Sequence, residues 1–175
     1  MHNKILNRYY FINKFDQSHI DKLDRETTVI FRNYNQIIDK ELILRLKNYC
    51  KKKGNKFLLS NNVKLAIHLD LDGAYISSFN VDKRQLSFSL KKNFIILGSA
   101  HNIYEMRTKE LQNVKLYFLS SIFKKNKNFL GIYRFKLLSN LSKKPIIALG
   151  GISDNNFKKL NLIKCLGFAG ISFFE

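Results

Sequence analysis

Two adjacent glycines follow a short apolar segment near the C-terminal end of the sequence. The segment is Ile146–Leu149 and the glycines are Gly150 and Gly151. Asp154 follows at a position where it can cap the helix that the pattern over residues 155–164 predicts. A strand, a glycine turn and a helix in this order are typical of a phosphate-binding loop, because glycines let backbone N–H groups approach a ligand that a Cβ would block. The alternative is that the glycines only make a tight turn between strand and helix, and the residues alone leave both interpretations open.

Basic residues are the second feature that bears on chemistry. The chain has 31 Lys+Arg against 13 Asp+Glu, a formal net charge of +18, and such an excess is compatible with nucleic acid or with an anionic substrate. The densest runs are only 51–53 and 124–127, and no RNA- or DNA-binding motif accompanies them. The chain is also rich in Asn, Ile and Phe, so biased genome composition explains much of the charge. We therefore expect a small anionic ligand and keep nucleic-acid binding as a minor alternative.

Length and composition indicate one domain over residues 1–175, with 45% hydrophobic residues to form its core. No apolar run reaches the ~18 residues that span a bilayer, and the N-terminal segment lacks the small-residue cleavage site of a signal peptide. Cys50 and Cys165 are isolated and match no metal-ligand spacing, which favours reduced thiols. We expect a cytoplasmic protein.

Eight short β-prone segments alternate with helical patterns along the chain. The clearest helix has Leu42, Leu46 and Cys50 four residues apart and ends in three lysines followed by Gly54, a common helix terminus. The predicted strands are 8–15, 27–32, 57–59, 73–77, 94–97, 116–119, 146–149 and 168–173. The predicted helices are 17–24, 39–53, 63–69, 102–112, 134–141 and 155–164.

This alternation predicts parallel βαβ units, and eight of them make a TIM barrel. A doubly wound open sheet is the alternative, but no GxGxxG motif follows the first strand, where that fold would carry it. The chain is shorter than the ~200 residues that such barrels usually take, and it lacks a clear helix after strands four and eight. These gaps would expose the flank of the barrel, which a partner subunit in a homo-oligomer would cover.

Seven segments follow the predicted strands and their ends from the second strand to the eighth. They are IFRNY (30–34), LLSNNVKLA (58–66), DGAYISS (72–78), GSAH (98–101), LSSIF (119–123), IIALGGI (146–152) and FAGIS (168–172). Taken in this order, they resemble the thiamine phosphate synthase and thiazole tautomerase family, and the resemblance implies a TIM barrel. It also implies, for a synthase, that a pyrimidine methyl pyrophosphate is joined to a thiazole phosphate with release of pyrophosphate and a need for magnesium.

Several positions match the family's site residues. The resemblance implies that Arg32 binds pyrophosphate, as suits a guanidinium fork, and that Ser99 lies near the reacting centre. Gly150 and Gly151 would bind the thiazole phosphate, with Ser172 replacing donors from the last strand.

Other positions depart from the family. The two magnesium-binding aspartates fall on Asn61 and Asn80, and amides supply oxygens but no charge. The resemblance therefore implies no magnesium site in the free protein, with any Mg²⁺ arriving on pyrophosphate. The family's glutamine and lysine at the second strand fall on Ile30 and Tyr34, and the tautomerase histidine falls on Ser121.

The family's loop after strand six becomes a lysine-rich segment. Lys124, Lys125 and Lys127 would share the charge of the leaving pyrophosphate, with Lys127 matching the family's lysine. Our first hypothesis is a divergent thiamine phosphate synthase that uses Arg32, Ser99 and Lys127 in catalysis and needs no side-chain nucleophile. The alternative is a catalytically degenerate protein that binds phosphate ligands or regulates on the same barrel.

Overall fold

A computed structural model describes residues 7–34 and 39–174 of the chain. Eight parallel strands close into a barrel in the order of the sequence, and β1 pairs with β8 to complete the ring. The predicted TIM barrel is therefore confirmed. Its strands are β1 Asn7–Ile12, β2 Thr28–Phe31, β3 Phe57–Ser60, β4 Gly73–Ile76, β5 Ile95–Ala100, β6 Leu116–Ser120, β7 Ile146–Leu149 and β8 Gly167–Gly170.

Helices lie on the outside of the barrel between the strands. The second helix starts at its cap Asp39, whose side chain accepts from the N–H of Glu41, and it stops at Gly54 with φ 83°. This is the terminus that the sequence predicts. The helices are α1 Gln17–Asp21, α2 Lys40–Lys53, α3 Val63–His68, α4 Ile103–Leu111, α5 Gly131–Asn140 and α6 Asp154–Phe157, with 3₁₀ turns at Arg84–Ser87 and Lys158–Leu162.

The hydrophobic residues form two separate layers because successive residues of a strand face opposite sides. One layer fills the barrel and includes Phe11, Tyr75 and Phe118, whose rings meet edge to face with centroids 5.2–5.7 Å apart. The other layer lies between the strands and the helices and includes Ile43 and Leu46 of α2. No helix in residues 7–34 and 39–174 is long and apolar enough to cross a membrane.

Several predicted boundaries are wrong, among them those of β1, α1, β5 and α5, each of which differs by three residues at one end. The helix after β7 is capped by Ser153, not Asp154, because Ser153 and Asn156 exchange hydrogen bonds in a capping box. That helix has one α turn before it tightens into a 3₁₀ turn at Lys158–Leu162. β8 ends at Gly170, three residues before the predicted end.

The expected exposure of the barrel flank is corrected after β8 only. Phe173 and Phe174 turn back and pack against Phe168 of β8, with ring centroids 4.7 and 5.9 Å away, and Phe174 also contacts Tyr10.

After β4, a 3₁₀ turn takes the place of a helix. It buries Gln85, which donates to the Gln112 carbonyl, whereas Leu86 and Leu90 in the same segment are 52% and 41% exposed. The homo-oligomer stays a prediction.

Candidate active site

The inside of the barrel changes from apolar to polar towards the carboxyl ends of the strands. Ile30, Leu58, Tyr75, Leu97 and Phe118 belong to the inner hydrophobic cluster. Residues two positions further along these strands face the same way, and all of them are polar. We call them the polar layer: Arg32, Ser60, Ser77, Ser99 and Ser120.

Arg32 follows β2 and lines an open cavity of about 170 Å³ together with Phe11, Asn13 and Asp16, the N-cap of α1. Its guanidinium carbon lies 4.6 Å from the ring centroid of Phe11 and 6.0 Å from that of Tyr34. These cation–π contacts restrict the position of the guanidinium group, and the group also acts on the Tyr75 hydroxyl of β4. Arg32 thus lies at the carboxyl end of the barrel, as its place after β2 predicts.

Ser99 is buried on β5 and accepts a hydrogen bond of 2.8 Å from the Tyr75 hydroxyl. Burial raises the pKa of Tyr75 to about 12, although the charge of nearby Arg32 opposes the shift. The tyrosine is therefore neutral and a donor at physiological pH. Because the Tyr75 hydroxyl donates, the proton of Ser99 stays available for another hydrogen bond. Among residues 7–34 and 39–174, no hydrogen bond joins Ser99 Oγ to a base, so Ser99 suits hydrogen bonding better than nucleophilic attack.

Ser60 ends β3 with its hydroxyl inside the polar layer. The Oγ atom is buried and has no hydrogen-bond partner among the residues that the structure describes. A buried hydroxyl without a partner is uncommon in folded proteins. It is thus available to a ligand group that enters the barrel.

Asn61 and Asn80, which the sequence resemblance matches to the family's metal aspartates, form hydrogen bonds with each other and with the loop around them. Asn61 Oδ1 accepts from the Ser77 N–H at 2.9 Å and from Asn80 Nδ2 at 3.2 Å, while Asn61 Nδ2 donates to Ser77 Oγ. The hydroxyl of Tyr34 lies 2.8 Å from Ser77 Oγ, and Asn80 Oδ1 accepts from the N–H of Asp82 at 2.9 Å. The arrangement is a neutral amide and hydroxyl network, and within the described residues no three His, Cys, Asp or Glu side chains gather to hold a metal ion.

Behind this network lies a lysine that sequence reasoning missed. Lys109 of α4 is fully buried, and its Nζ donates to the Asn80 carbonyl at 2.7 Å and to Gln112 Oε1 at 2.8 Å. The aliphatic part of the side chain crosses β5 at Gly98, where a Cβ would lie 2.8 Å from Lys109 Cδ. Burial lowers the pKa of Lys109 to about 8.

The loop after β6 carries Lys124, Lys125 and Lys127, and we call it the lysine loop. It lies directly over the double-glycine turn after β7. The N–H groups of Phe123 and Lys124 donate to the Gly150 carbonyl at 2.8 and 3.1 Å, and Ile122 donates to the Leu149 carbonyl at 3.0 Å. The side chains of Lys124, Lys125 and Lys127 are exposed on this loop. The structure thus brings together two segments that the sequence connects only through the resemblance.

Gly150 and Gly151 have positive φ values of 105° and 75°. A Cβ on Gly150 would lie 2.4 Å from Ser121 Oγ, and one on Gly151 would lie 2.5 Å from the Lys124 nitrogen. The glycines are therefore required by the approach of the lysine loop as well as by the turn. Ser172 is exposed just after β8, at the same end of the barrel.

Two exposed aromatic rings lie at the carboxyl-end rim of the barrel, next to the hydrogen-bond network of Asn61 and Asn80. Tyr34 is 49% exposed, Phe79 is 67% exposed, and their centroids are 5.3 Å apart in an edge-to-face contact. They come from the segments after β2 and β4, which are separated in sequence, so no local pattern reveals the pair. A flat aromatic ligand would find a stacking surface here.

A family model described as thiamine monophosphate synthase matches residues 23–174. The chain belongs to this family. Curated relatives include the thiamine-phosphate synthase of Helicobacter pylori, 29% identical over 127 residues that cover 69% of this chain and 58% of that protein. The synthase of Pelagibacter ubique is 30% identical over 156 residues, covering 86% of this chain and 70% of that protein. The alignment with the Helicobacter pylori relative thus spans less than two thirds of that relative's length.

Solved structures support the same fold. The thiamine phosphate pyrophosphorylase of Pyrococcus furiosus superposes with a TM-score of 0.79 at 19% identity, over 97% of this chain and 87% of that one. The corresponding protein of Bacteroides thetaiotaomicron gives a TM-score of 0.65 at 14% identity, over 97% of this chain and 84% of that one. The resemblance to the thiamine monophosphate synthase family stated from the sequence is therefore confirmed, and the structural likeness itself concerns the fold.

Proposed function

We propose that the protein is a thiamine phosphate synthase that joins hydroxymethylpyrimidine pyrophosphate to a thiazole phosphate and releases pyrophosphate. The observation that carries the proposal is the polar layer at the carboxyl end of the barrel. It contains Arg32, Ser99 with its hydrogen bond from Tyr75, and Ser60, whose hydroxyl has no partner among the described residues. This is the end at which TIM-barrel enzymes bind substrates. The family match supports the reaction type.

The proposed reaction needs charge stabilisation but no protein nucleophile. The bond from the pyrimidine methylene carbon to the pyrophosphate oxygen breaks, and its electron pair leaves on the pyrophosphate. The thiazole nitrogen then donates its lone pair to the methylene cation and forms the new C–N bond. Arg32 binds the leaving pyrophosphate, and Ser99 donates a hydrogen bond near the reacting carbon, so no proton transfer through the protein is required.

The two anionic groups are assigned to different sides of the barrel. Arg32 receives pyrophosphate next to β2, while the backbone of Gly150 and Gly151 binds the thiazole phosphate, with a contribution from Ser172. The contact between the lysine loop and the glycine turn supports this assignment because it joins the backbone of a loop with three exposed lysines to the turn. Lys124 and Lys125 would attract the phosphate, and Lys127 would approach the leaving group.

The pyrimidine ring is assigned to the space under the rim aromatics. Phe79 and Tyr34 offer a ring face and edge, and Ser60 offers a hydroxyl to a ring nitrogen or to the amino group. Stacking of this kind is worth about 0.5–1.5 kcal/mol. It would compensate for Ile30, whose side chain offers no hydrogen bond to the pyrimidine where the family has a glutamine.

We propose that the free protein has no resident magnesium. Asn61 and Asn80 are neutral, and each amide is already engaged in the network. Magnesium sites in proteins usually rely on one or two carboxylates, which this network does not offer. A metal ion would supply charge neutralisation of pyrophosphate, and it would arrive with the substrate.

One assay tests the proposal. Purified protein is incubated with both substrates, with magnesium or with EDTA, and thiamine phosphate is detected by its oxidation to fluorescent thiochrome phosphate. Product that accumulates with enzyme and disappears with Arg32→Ala would support the synthase. Tight binding of thiazole phosphate with no product under either condition would instead favour the second candidate, a phosphate-ligand-binding or regulatory protein, which the loss of both metal carboxylates favours. A cytoplasmic location and small phosphorylated partners are expected for both.

A further inference from the structure

Lys109 presents an electrostatic problem that packing alone does not explain. Its side chain has no exposed surface, and its two acceptors are the neutral oxygens of Asn80 and Gln112. Within the part of the chain that the structure describes, it forms no ion pair. Buried lysines are normally paired with a negative group. Here the Glu105 carboxylate, one turn earlier on α4, raises the pKa of Lys109 through space, but its salt bridge is to His101. A positive charge without a direct ionic partner among the described residues therefore lies behind the loop after β4.

The position of this charge is held by a dense set of hydrogen bonds. Gln112 is fully buried, and its Nε2 donates to the carbonyls of Asn80 at 2.9 Å and Asp82 at 2.7 Å. The Asn80 carbonyl thus receives both the ammonium and an amide, while the side chain of the same residue donates to Asn61 in the neutral network. The ammonium therefore contacts the backbone of Asn80, the residue whose side chain the resemblance matches to a metal ligand of the family.

We infer that the ammonium of Lys109 is a fixed positive charge that attracts the pyrophosphate group of the substrate, in place of a metal ion. Its hydrogen bond also fixes the position of the Asn80 carbonyl. The inference rests on the proposed function for the identity of the anion. Neutral Asn61 and Asn80 let the field of the ammonium reach the cavity without cancellation, whereas aspartates at these positions would cancel it. Lys109 does not touch the ligand and acts through charge and loop position.

The same field should repel a divalent cation and attract an anion. A unit charge about 10 Å from a second charge, in a medium of effective dielectric constant about 20, changes affinity by roughly tenfold. The expected consequence is that inorganic pyrophosphate binds without magnesium. A second consequence is that adding magnesium tightens binding by less than about threefold.

The test is calorimetric titration of inorganic pyrophosphate into the full chain at neutral pH, with EDTA or with magnesium. Lys109→Met removes charge and donor, and Lys109→Gln removes the charge but keeps an N–H donor for the Asn80 carbonyl. Both should weaken binding in EDTA by about tenfold. The matched control is Lys115→Met, which removes an exposed lysine just before β6, at the opposite end of the barrel, and should change affinity by less than twofold.

Three results would overturn the inference. One is wild-type binding that is absent or that requires magnesium, another is unchanged affinity in both Lys109 variants, and the third is full rescue by Lys109→Gln, which would reduce the role to a hydrogen bond. If the Lys109 variants fail to fold, Asn80→Asp provides the same test, since its carboxylate should cancel the charge and weaken binding in EDTA by about tenfold. A synthase with unaffected Lys109 variants would refute only this inference, whereas charge-dependent pyrophosphate binding without turnover would refute only the synthase.

Discussion

The backbone nitrogen of Lys124 lies 2.5 Å from the position that a Cβ on Gly151 would occupy. Gly151 also has φ 75°, so a substitution there meets both a backbone clash and a strained conformation. We expect Gly151→Ala to lower the free energy of unfolding by about 2–4 kcal/mol and to displace the lysine loop. Urea unfolding and titration with thiazole phosphate measure the two effects.

Gly54→Ala is the matched control for Gly151→Ala. Gly54 has φ 83°, but its added Cβ would only make ordinary contacts of 3.5 Å with Arg25. Gly54→Ala should lower the free energy of unfolding by about 1 kcal/mol, through backbone strain alone. Equal losses of unfolding free energy in the two variants would show that the lysine loop moves away from the added Cβ and that the contact at Lys124 does not constrain the turn.

Arg32 is expected to contribute through its fork geometry as well as through its charge. Arg32→Lys keeps the charge but loses two parallel N–H donors and the stacking on Phe11, so kcat/KM for the pyrimidine substrate should fall about 10- to 100-fold. Arg45→Lys is the control, because Arg45 lies 5.6 Å from the ring centroid of Phe15 on the outside of the barrel. Steady-state kinetics that show equal losses in both variants would contradict the role of Arg32.

Restoring the carboxylates should create a metal site. Asn61→Asp combined with Asn80→Asp places two negative groups where the amides now lie 3.2 Å apart, so the free energy of unfolding should fall by roughly 1–3 kcal/mol in EDTA. Magnesium should reverse this loss by binding the folded state and should raise any synthase rate. Thermal unfolding with and without magnesium measures the effect.

Wild-type protein is the reference for the double variant. It should give no measurable heat with millimolar magnesium, because its amides offer no charge to replace lost hydration. Tight binding of magnesium by the wild type would show that Asn61 and Asn80 have been matched to the wrong family positions.

The buried ammonium of Lys109 should make stability depend on pH. Burial lowers its pKa from 10.5 to about 8 in the folded chain, so the unfolded chain holds the proton more tightly. The free energy of unfolding should therefore rise with pH through this interval, by about 1 kcal/mol for this group between pH 8 and pH 9. Urea unfolding of wild type and Lys109→Met at several pH values should show the rise in the wild type only.

The pKa shifts of Cys50 and Tyr75 have the opposite effect on how stability depends on pH. Burial raises the pKa of each to about 12, so the unfolded chain loses these protons first and stability falls above about pH 9. Both groups remain in Lys109→Met, and the difference between the two curves isolates the lysine. A constant difference across this pH range would contradict the lowered pKa.

The rim aromatics predict a substrate effect without a stability effect. Phe79 is 67% exposed, so Phe79→Ala should leave the free energy of unfolding nearly unchanged and raise KM for the pyrimidine substrate about 2- to 10-fold. Tyr133→Ala, at a tyrosine that is 89% exposed on α5, should alter neither. An unchanged KM in Phe79→Ala would remove this residue from the site.

The strands were predictable because they are short apolar runs that are buried on both faces, and the longer helices because their apolar residues repeat with the helical period. α2 illustrates this, since its buried residues and both of its caps follow from local patterns. The helix after β7 shows the limit: Ser153 and Asp154 are both good caps, and only the reach of Asn156 decides between them. Local preference does not contain that information.

The candidate site divides in the same way. The two glycines were predicted from the order of strand, turn and helix, and Arg32 and Ser99 from the family resemblance. Lys109 was missed because its burial depends on the groove that Gly98 leaves across β5. The contact between Tyr34 and Ser77 likewise depends on the arrangement of the segments after β2 and β4. Such features require the relative placement of distant segments.

The seam between β1 and β8 has a consequence for the order of assembly. Asn7 pairs with Gly167, and Phe174 packs on Tyr10 across the same seam, so the closure of the ring joins the early and late parts of the chain. During synthesis, β1 has an unpaired edge until β8 emerges from the ribosome. The nascent chain therefore passes through a stage with two open strand edges, at which pairing with another chain competes with closure.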